Sequence, residues 1–68
     1  MNSNRKRVSG TLEETPRGWA IVTNDGGLWV LEDCDADRAL AGRLVTAEGK
    51  VSGLDRLRVE WLGQVHAG

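Results

Sequence analysis

Apolar and polar side chains alternate with a period of two along much of this 68-residue chain, and this feature most constrains its fold. The alternation is clearest near the carboxyl end, where Leu57, Val59 and Trp61 are separated by charged residues. In a β-strand such a pattern gives one apolar face and one polar face, because successive side chains point to opposite sides. The sequence therefore predicts an all-β domain built from short strands.

Turn-forming residues divide the chain into five predicted strands. The strands are expected over residues 8–13, 19–23, 28–32, 44–51 and 56–61. Residues 15–18 have proline second and glycine fourth, as a type I turn prefers. Residues 24–27, with the sequence NDGG, tolerate positive φ and predict a hairpin. Ser52 and Gly53 form the last predicted turn.

The alternation changes after the third predicted strand. Asp33, Asp35 and Asp37 offer carboxylates that accept hydrogen bonds from free backbone N–H groups and suit the positive end of a helix. We expect a short helix from Asp35 to Ala41, ended by Gly42 at positive φ. The predicted element order is β-β-β-α-β-β.

Size and composition predict one domain with no cofactor and no metal ion. Residues 1–7 are polar and basic and predict a flexible arm, residues 8–63 the barrel, and residues 64–68 a tail. A single cysteine, Cys34, allows no internal disulfide, and no cluster of cysteine and histidine could bind zinc. No apolar stretch is long enough for a secretory signal or a membrane helix. A cytoplasmic location without a membrane partner is expected.

The predicted element order resembles the OB-fold, a five-stranded Greek-key barrel with one helix between the third and fourth strands. Three segments carry the resemblance. They are residues 8–12, where Gly10 lets the strand bend, the hairpin at residues 24–27, and residues 45–51 (VTAEGKV), which look like an OB-fold fourth strand. The chain is similar to the small, stand-alone bacterial OB-fold proteins of unknown function. Other small barrels, such as the SH3-like ones, remain an alternative.

This resemblance implies a ligand surface on the outer face of the second and third strands, beside the loops that follow the first and fourth. Pairing across the hairpin groups its residues into two apolar faces. The inward group is expected to be Trp19, Ile21, Leu28 and Val30. The candidate binding face combines the outward group with nearby basic residues: Arg17, Ala20, Val22, Trp29, Leu31, Lys50, Arg56 and Arg58.

The three tryptophans receive different predictions. An exposed Trp29 would stack on a base or anchor a protein contact. The alternative is that Trp29 belongs to the core and Trp19 caps the barrel mouth, because a one-residue bulge in the third strand would exchange the two faces. Trp61 is expected in the core.

The charged residues give no sign of catalysis. The only histidine, His66, lies near the end of the chain with no second group placed to act with it. The cluster of Glu32 and the three nearby aspartates lacks the glycine and distal glutamate of a calcium loop, so helix capping explains it better. These acids disfavour the Cys34 thiolate. Arg56, Arg58 and Lys50 are expected to form cross-strand pairs with Glu48 and Glu60.

We therefore expect a non-catalytic binding module that binds a protein partner, or a second copy of itself, through the face of strands two and three. The alternative is weak single-stranded nucleic-acid binding that uses Trp29, Arg56 and Arg58. The net charge of −1 and the lack of basic residues on the face of strands two and three argue against this alternative. A third hypothesis is an accessory protein whose acidic cluster binds a basic partner.

Overall fold

The structure is a computed structural model and describes residues 4–65. Five strands make up most of the fold, which confirms the all-β prediction. They are β1 (Arg5–Thr15), β2 (Gly18–Val22), β3 (Leu28–Glu32), β4 (Leu44–Val51) and β5 (Arg56–Gln64). The bounds of β3 and β4 are those that the sequence predicts.

The five strands close in a ring in the order β1-β2-β3-β5-β4. Closure depends on β1, because its first half pairs with β4 and its second half with β2. Gly10 lies near this change of partner. A side chain at Gly10 would overlap the carbonyl oxygen of Val22, so the close approach of β1 and β2 requires glycine there. The parallel pairing of β3 with β5 completes the ring.

The core fills the inside of the ring with side chains from every strand. Leu12, Ile21, Val45 and Leu57 are the largest fully buried side chains. Each contributes roughly 1.5–3 kcal/mol by leaving water. The inward alternation predicted for β1 and β4 is confirmed, since their buried residues are those at the predicted positions: Val8, Gly10, Leu12, Val45, Ala47 and Gly49.

The hairpin loop corrects the predicted faces of β3. The Thr23 N–H donates to the Gly27 carbonyl at 2.9 Å, so only residues 24–26 form the loop, with Gly26 at a φ of 87°. A loop of this odd length places Ile21 opposite Trp29. Trp29 and buried Leu31 therefore join the inward face, and the predictions that they point outward are wrong.

A bulge in β5 corrects the prediction for Trp61. Val59 pairs with Gly49 and Trp61 pairs with Glu48, so Glu60 is one extra residue. An extra residue reverses the alternation beyond it. Trp61 is consequently 55% exposed rather than in the core, and Leu62 packs against the core instead.

The predicted helix is wrong in extent. Only Arg38–Leu40 form a single 3-10 turn, capped by the Asp37 carboxylate, which accepts a hydrogen bond from the Ala39 N–H at 2.9 Å. Residues 33–37 instead alternate: Cys34 and Ala36 pack against the core and the aspartates are exposed. That is the period of an extended chain. The predicted positive φ of Gly42 is confirmed at 82°.

The predicted flexible arm is partly replaced by strand. β1 begins at Arg5 because residues 5–7 pair with residues 48–50 of β4. Arg5 and Arg7 also form ion pairs with Glu60 and Glu48. Residues 1–3 of the predicted arm and residues 66–68 of the predicted tail, which include His66, lie outside the described residues.

Candidate functional site

The largest share of the predicted binding face lies in one groove beside β3 and β5, which we call the arginine groove. Its volume is about 500 Å³. The lining residues are Arg17, Val30, Leu31, Glu32, Asp33, Arg56 and Arg58. Four of them, Arg17, Leu31, Arg56 and Arg58, were predicted from the sequence.

One turn and one strand position the three arginines of the arginine groove. Arg17 lies in the turn between β1 and β2, and Arg56 and Arg58 are two residues apart on β5, so both point to its outer side. The loop between β4 and β5 is tied to β3 by a hydrogen bond from the Val30 N–H to the Asp55 carbonyl at 2.7 Å. This contact brings the β4–β5 loop against the groove.

Each arginine has a carboxylate partner near the groove. The nitrogen–oxygen distances are 3.8 Å for Arg17–Asp55, 3.4 Å for Arg56–Glu32 and 3.5 Å for Arg58–Asp33. The predicted pairs with Glu48 and Glu60 are wrong, because Glu48 and Glu60 pair with arginines of β1. All three pairs are solvent-exposed and so contribute at most about 1 kcal/mol each. The guanidinium groups can therefore exchange these partners for an incoming anion.

Glu32 is held in its charged form at the rim of the groove. Its carboxylate accepts a hydrogen bond from the Ser52 hydroxyl at 2.7 Å. This hydrogen bond, followed by the nearby Arg56 charge, lowers the pKa of Glu32 below its ordinary value. Glu32 therefore keeps its charge, and with it the pairing to Arg56, to a lower pH than an ordinary glutamate would.

Leu54 lies in the same β4–β5 loop and is completely exposed. It stands between Gly53 and Asp55, next to the residue that pairs with Arg17. Sequence reasoning missed Leu54, although a lone leucine between the predicted Ser52–Gly53 turn and the last predicted strand is the signal that could have identified it. An apolar side chain in this position is available to a partner at no cost in core packing.

The other residues of the predicted face do not join the arginine groove. Ala20 is buried and Val22 half-buried on the outer face of β2. Lys50 is exposed on β4, opposite Arg58. Trp29 lines a separate groove of about 600 Å³ between β1 and the hairpin, where the Lys6 amine lies 5.7 Å from the centre of its ring. Trp29 therefore does not share a groove with Arg17, Arg56 or Arg58.

A third groove lies between β5 and the segment before the 3-10 turn, and we call it the acidic groove. Its volume is about 400 Å³. The lining residues are Asp33, Cys34, Asp35, Ala36, Asp37, Leu40, Val59, Glu60, Trp61 and Leu62. The predicted acidic cluster includes three of its carboxylates, Asp33, Asp35 and Asp37, but not Glu60. Sequence reasoning also missed Trp61, because only the bulge in β5 exposes that side chain.

Cys34 lies at this groove as a free, half-buried thiol. Burial, and then the charge of Asp35, raise the pKa of Cys34 above its ordinary value. The direction is the one expected from the sequence, although burial is the larger cause. A thiolate, the reactive form, is therefore disfavoured.

Between residues 4 and 65 the structure contains no group of three or more histidine, cysteine, aspartate or glutamate side chains that could hold a metal ion. Over the same residues no helix is long and apolar enough to cross a membrane.

Comparison with known families adds one match. The sequence profile of the family described as "Protein of unknown function (DUF5818)" matches residues 9–65. The chain belongs to this family. The matched DUF5818 region includes every residue of the arginine groove and of the acidic groove. No curated protein and no solved structure matches the chain significantly.

Proposed function

We propose that this DUF5818 domain is a non-catalytic binding module of the OB type, which binds an acidic, extended segment of a partner protein in the arginine groove. The ring order with β3 parallel to β5, and the 3-10 turn in the link between β3 and β4, support the OB assignment. The lone cysteine supports a cytoplasmic location.

The observation that carries the proposal is the complete exposure of Leu54 in the β4–β5 loop, next to Asp55, which pairs with Arg17 of the arginine groove. A protein segment can bury this leucine while its carboxylates bind Arg17 and Arg58, whereas a nucleic acid gains little from an aliphatic side chain. Among the described residues, no aromatic side chain lines the arginine groove to stack on a base. The combination of an apolar anchor and half-exposed guanidinium groups favours a protein partner.

The test is an amide NMR titration of the labelled protein at low salt with a short peptide that alternates aspartate and leucine. We expect shifts confined to residues 17, 30–33 and 52–58. A mixed single-stranded oligonucleotide is titrated in parallel, and a light-scattering mass is measured for the free protein.

Two variants and one control test which side chains contribute to the peptide affinity. Leu54→Ser removes the anchor and is expected to weaken peptide binding about tenfold, because burial of a leucine contributes roughly 1.5–3 kcal/mol. Arg58→Gln is expected to weaken it about fivefold. Arg43→Gln removes another exposed arginine that lines neither groove, and should leave the affinity within about twofold.

Three results would overturn the proposal. One is the absence of shifts at millimolar peptide. Another is oligonucleotide binding tighter than peptide binding, with a steep salt dependence, which would establish the nucleic-acid function instead. The third is a dimer mass together with an arginine groove already inaccessible to peptide, which would assign this surface to self-association.

A further inference from the structure

β5 has an edge that no strand of the described chain covers. Within residues 4–65, β3 pairs with β5 only as far as Glu32 opposite Arg58, and residues 59–64 pair with β4 alone. The pairing with β5 ends where Asp33 adopts a positive φ of 55°. Residues 33–37 then line the acidic groove together with residues 59–62 of β5, the part of β5 that β3 does not pair with. An uncovered strand edge is a template for an added strand.

The charge of the acidic groove specifies the chemistry of an added strand. Asp33, Asp35, Asp37 and Glu60 line it, and no lysine or arginine of the described part of the chain does. Asp33 and Glu60 form exposed pairs with Arg58 and Arg5. Among residues 4–65 Asp35 has no ion pair. The groove therefore attracts cations and repels an acidic segment or a phosphate backbone.

The apolar part of the groove fits the same occupant. Val59, Leu62 and Leu40 provide a surface for the methylene groups of a lysine or arginine side chain. Trp61, more than half exposed, presents an indole ring at the same groove. A guanidinium group over an indole face is a favourable contact in addition to its pairing with carboxylates.

We infer that the acidic groove is a second docking surface, which binds a basic, extended segment of a partner polypeptide as an added strand along residues 59–62 of β5. The inference goes beyond the proposed function, because it concerns a different surface and the opposite charge of partner. The two grooves share only Asp33.

The probe is a short peptide that alternates arginine and valine, titrated into the intact protein at low salt and followed by amide NMR and calorimetry. We expect shifts at residues 33–37 and 59–62, and slower amide exchange at residues 59–62, because a new strand protects backbone N–H groups. A second peptide of the same sequence, N-methylated at alternate positions, keeps the charge and loses one row of donors. It is expected to bind about tenfold more weakly.

Substitutions separate this groove from the arginine groove. Asp35→Asn combined with Glu60→Gln should weaken the basic peptide about tenfold, and Trp61→Ala about threefold to fivefold. Glu13→Gln removes an exposed carboxylate of β1 that lines neither groove and should change the affinity less than about twofold. Leu54→Ser, which tests the proposed function, should leave binding of the basic peptide unchanged.

If the N-methylated peptide bound as tightly as the unmodified peptide, charge alone would account for the affinity. The inference that the peptide binds as an added strand would then be wrong. Shifts that appear only at the arginine groove or around Trp29 would overturn the choice of surface. Failure of the acidic peptide at the arginine groove would leave this inference intact, because the two titrations follow different residues.

Discussion

The two halves of β5 line different grooves, although Leu57, Val59 and Trp61 alternate with charged residues across both halves. Before the bulge, Leu57 is buried while Arg56 and Arg58 line the arginine groove. After the bulge, Leu62 packs inward while Trp61 lines the acidic groove. One extra residue, Glu60, separates the two arrangements. A strand can therefore present different kinds of side chain to solvent within a few residues when its register with a neighbouring strand shifts.

The largest effect is expected from a substitution that fills the close contact between β4 and β5 at the bulge. A side chain at Gly49 would overlap the carbonyl oxygen of Arg58 and lie 2.8 Å from its carbonyl carbon. Both are backbone atoms that cannot rotate away. Gly49→Ala is therefore expected to lower the free energy of unfolding by about 4 kcal/mol or more, as measured by urea denaturation.

Gly53→Ala is the matched control for this substitution. A side chain at Gly53 would meet only the side chain of Arg56, at 3.5 Å, which is ordinary contact. We expect a change within about 0.5 kcal/mol. Equal urea midpoints for the two alanine variants would show that β4 and β5 do not approach as closely as described.

A second prediction contrasts one residue from each half of β5. Leu57→Ala creates a cavity in the core and should lower the free energy of unfolding by about 3 kcal/mol. Trp61→Ala removes a larger but mostly exposed side chain and should lower it by about 1 kcal/mol or less. Urea denaturation of both variants measures the two changes. If Trp61→Ala lowered the free energy of unfolding more than Leu57→Ala, Trp61 would have to lie in the core.

The Asp33–Arg58 ion pair stands at the boundary of the two halves, and its removal should affect the two grooves in opposite directions. Asp33→Asn is expected to strengthen binding of the acidic peptide and weaken binding of the basic peptide, each about twofold to threefold. The free energy of unfolding should change by less than about 0.5 kcal/mol. Parallel calorimetric titrations measure both affinities. If Asp33→Asn strengthened or weakened the binding of both peptides, the two grooves would not prefer partners of opposite charge.

The smallest effect concerns the Glu32 carboxyl at the arginine groove. Because its pKa is lowered in the folded protein, Glu32 stabilises the fold above the pKa that it has in the unfolded chain. This contribution is lost as the pH falls through the lower folded pKa. Ser52→Ala removes the main hydrogen bond and should raise the pKa of Glu32 toward its ordinary value in an NMR titration.

Asp25 is the internal control for that titration. Its pKa is lowered by hydrogen bonds from Thr23 and Gly27 in the hairpin loop, away from Ser52. The titration of Asp25 should be the same in both proteins. An unchanged Glu32 midpoint would show that the Ser52 hydroxyl does not bind the carboxylate.

Local sequence was sufficient for much of the fold and for part of the site. The bounds of β3 and β4, the inward residues of β1 and β4, and the positive φ of Gly42 all follow from short-range patterns. The shared direction of Arg56 and Arg58 follows likewise, because residues two apart on one strand lie on one face. These features depend only on the backbone preferences and alternation of neighbouring residues.

The tertiary structure decided how those patterns are matched to one another. The hairpin loop set which face of β3 points inward, the bulge at Glu60 exposed Trp61, and packing on the core drew Cys34 and Ala36 into an extended segment. Alternation specifies a strand but not its register with a distant partner, and one residue of slip reverses every face. Contacts between residues far apart in sequence determine that register, and with it both grooves.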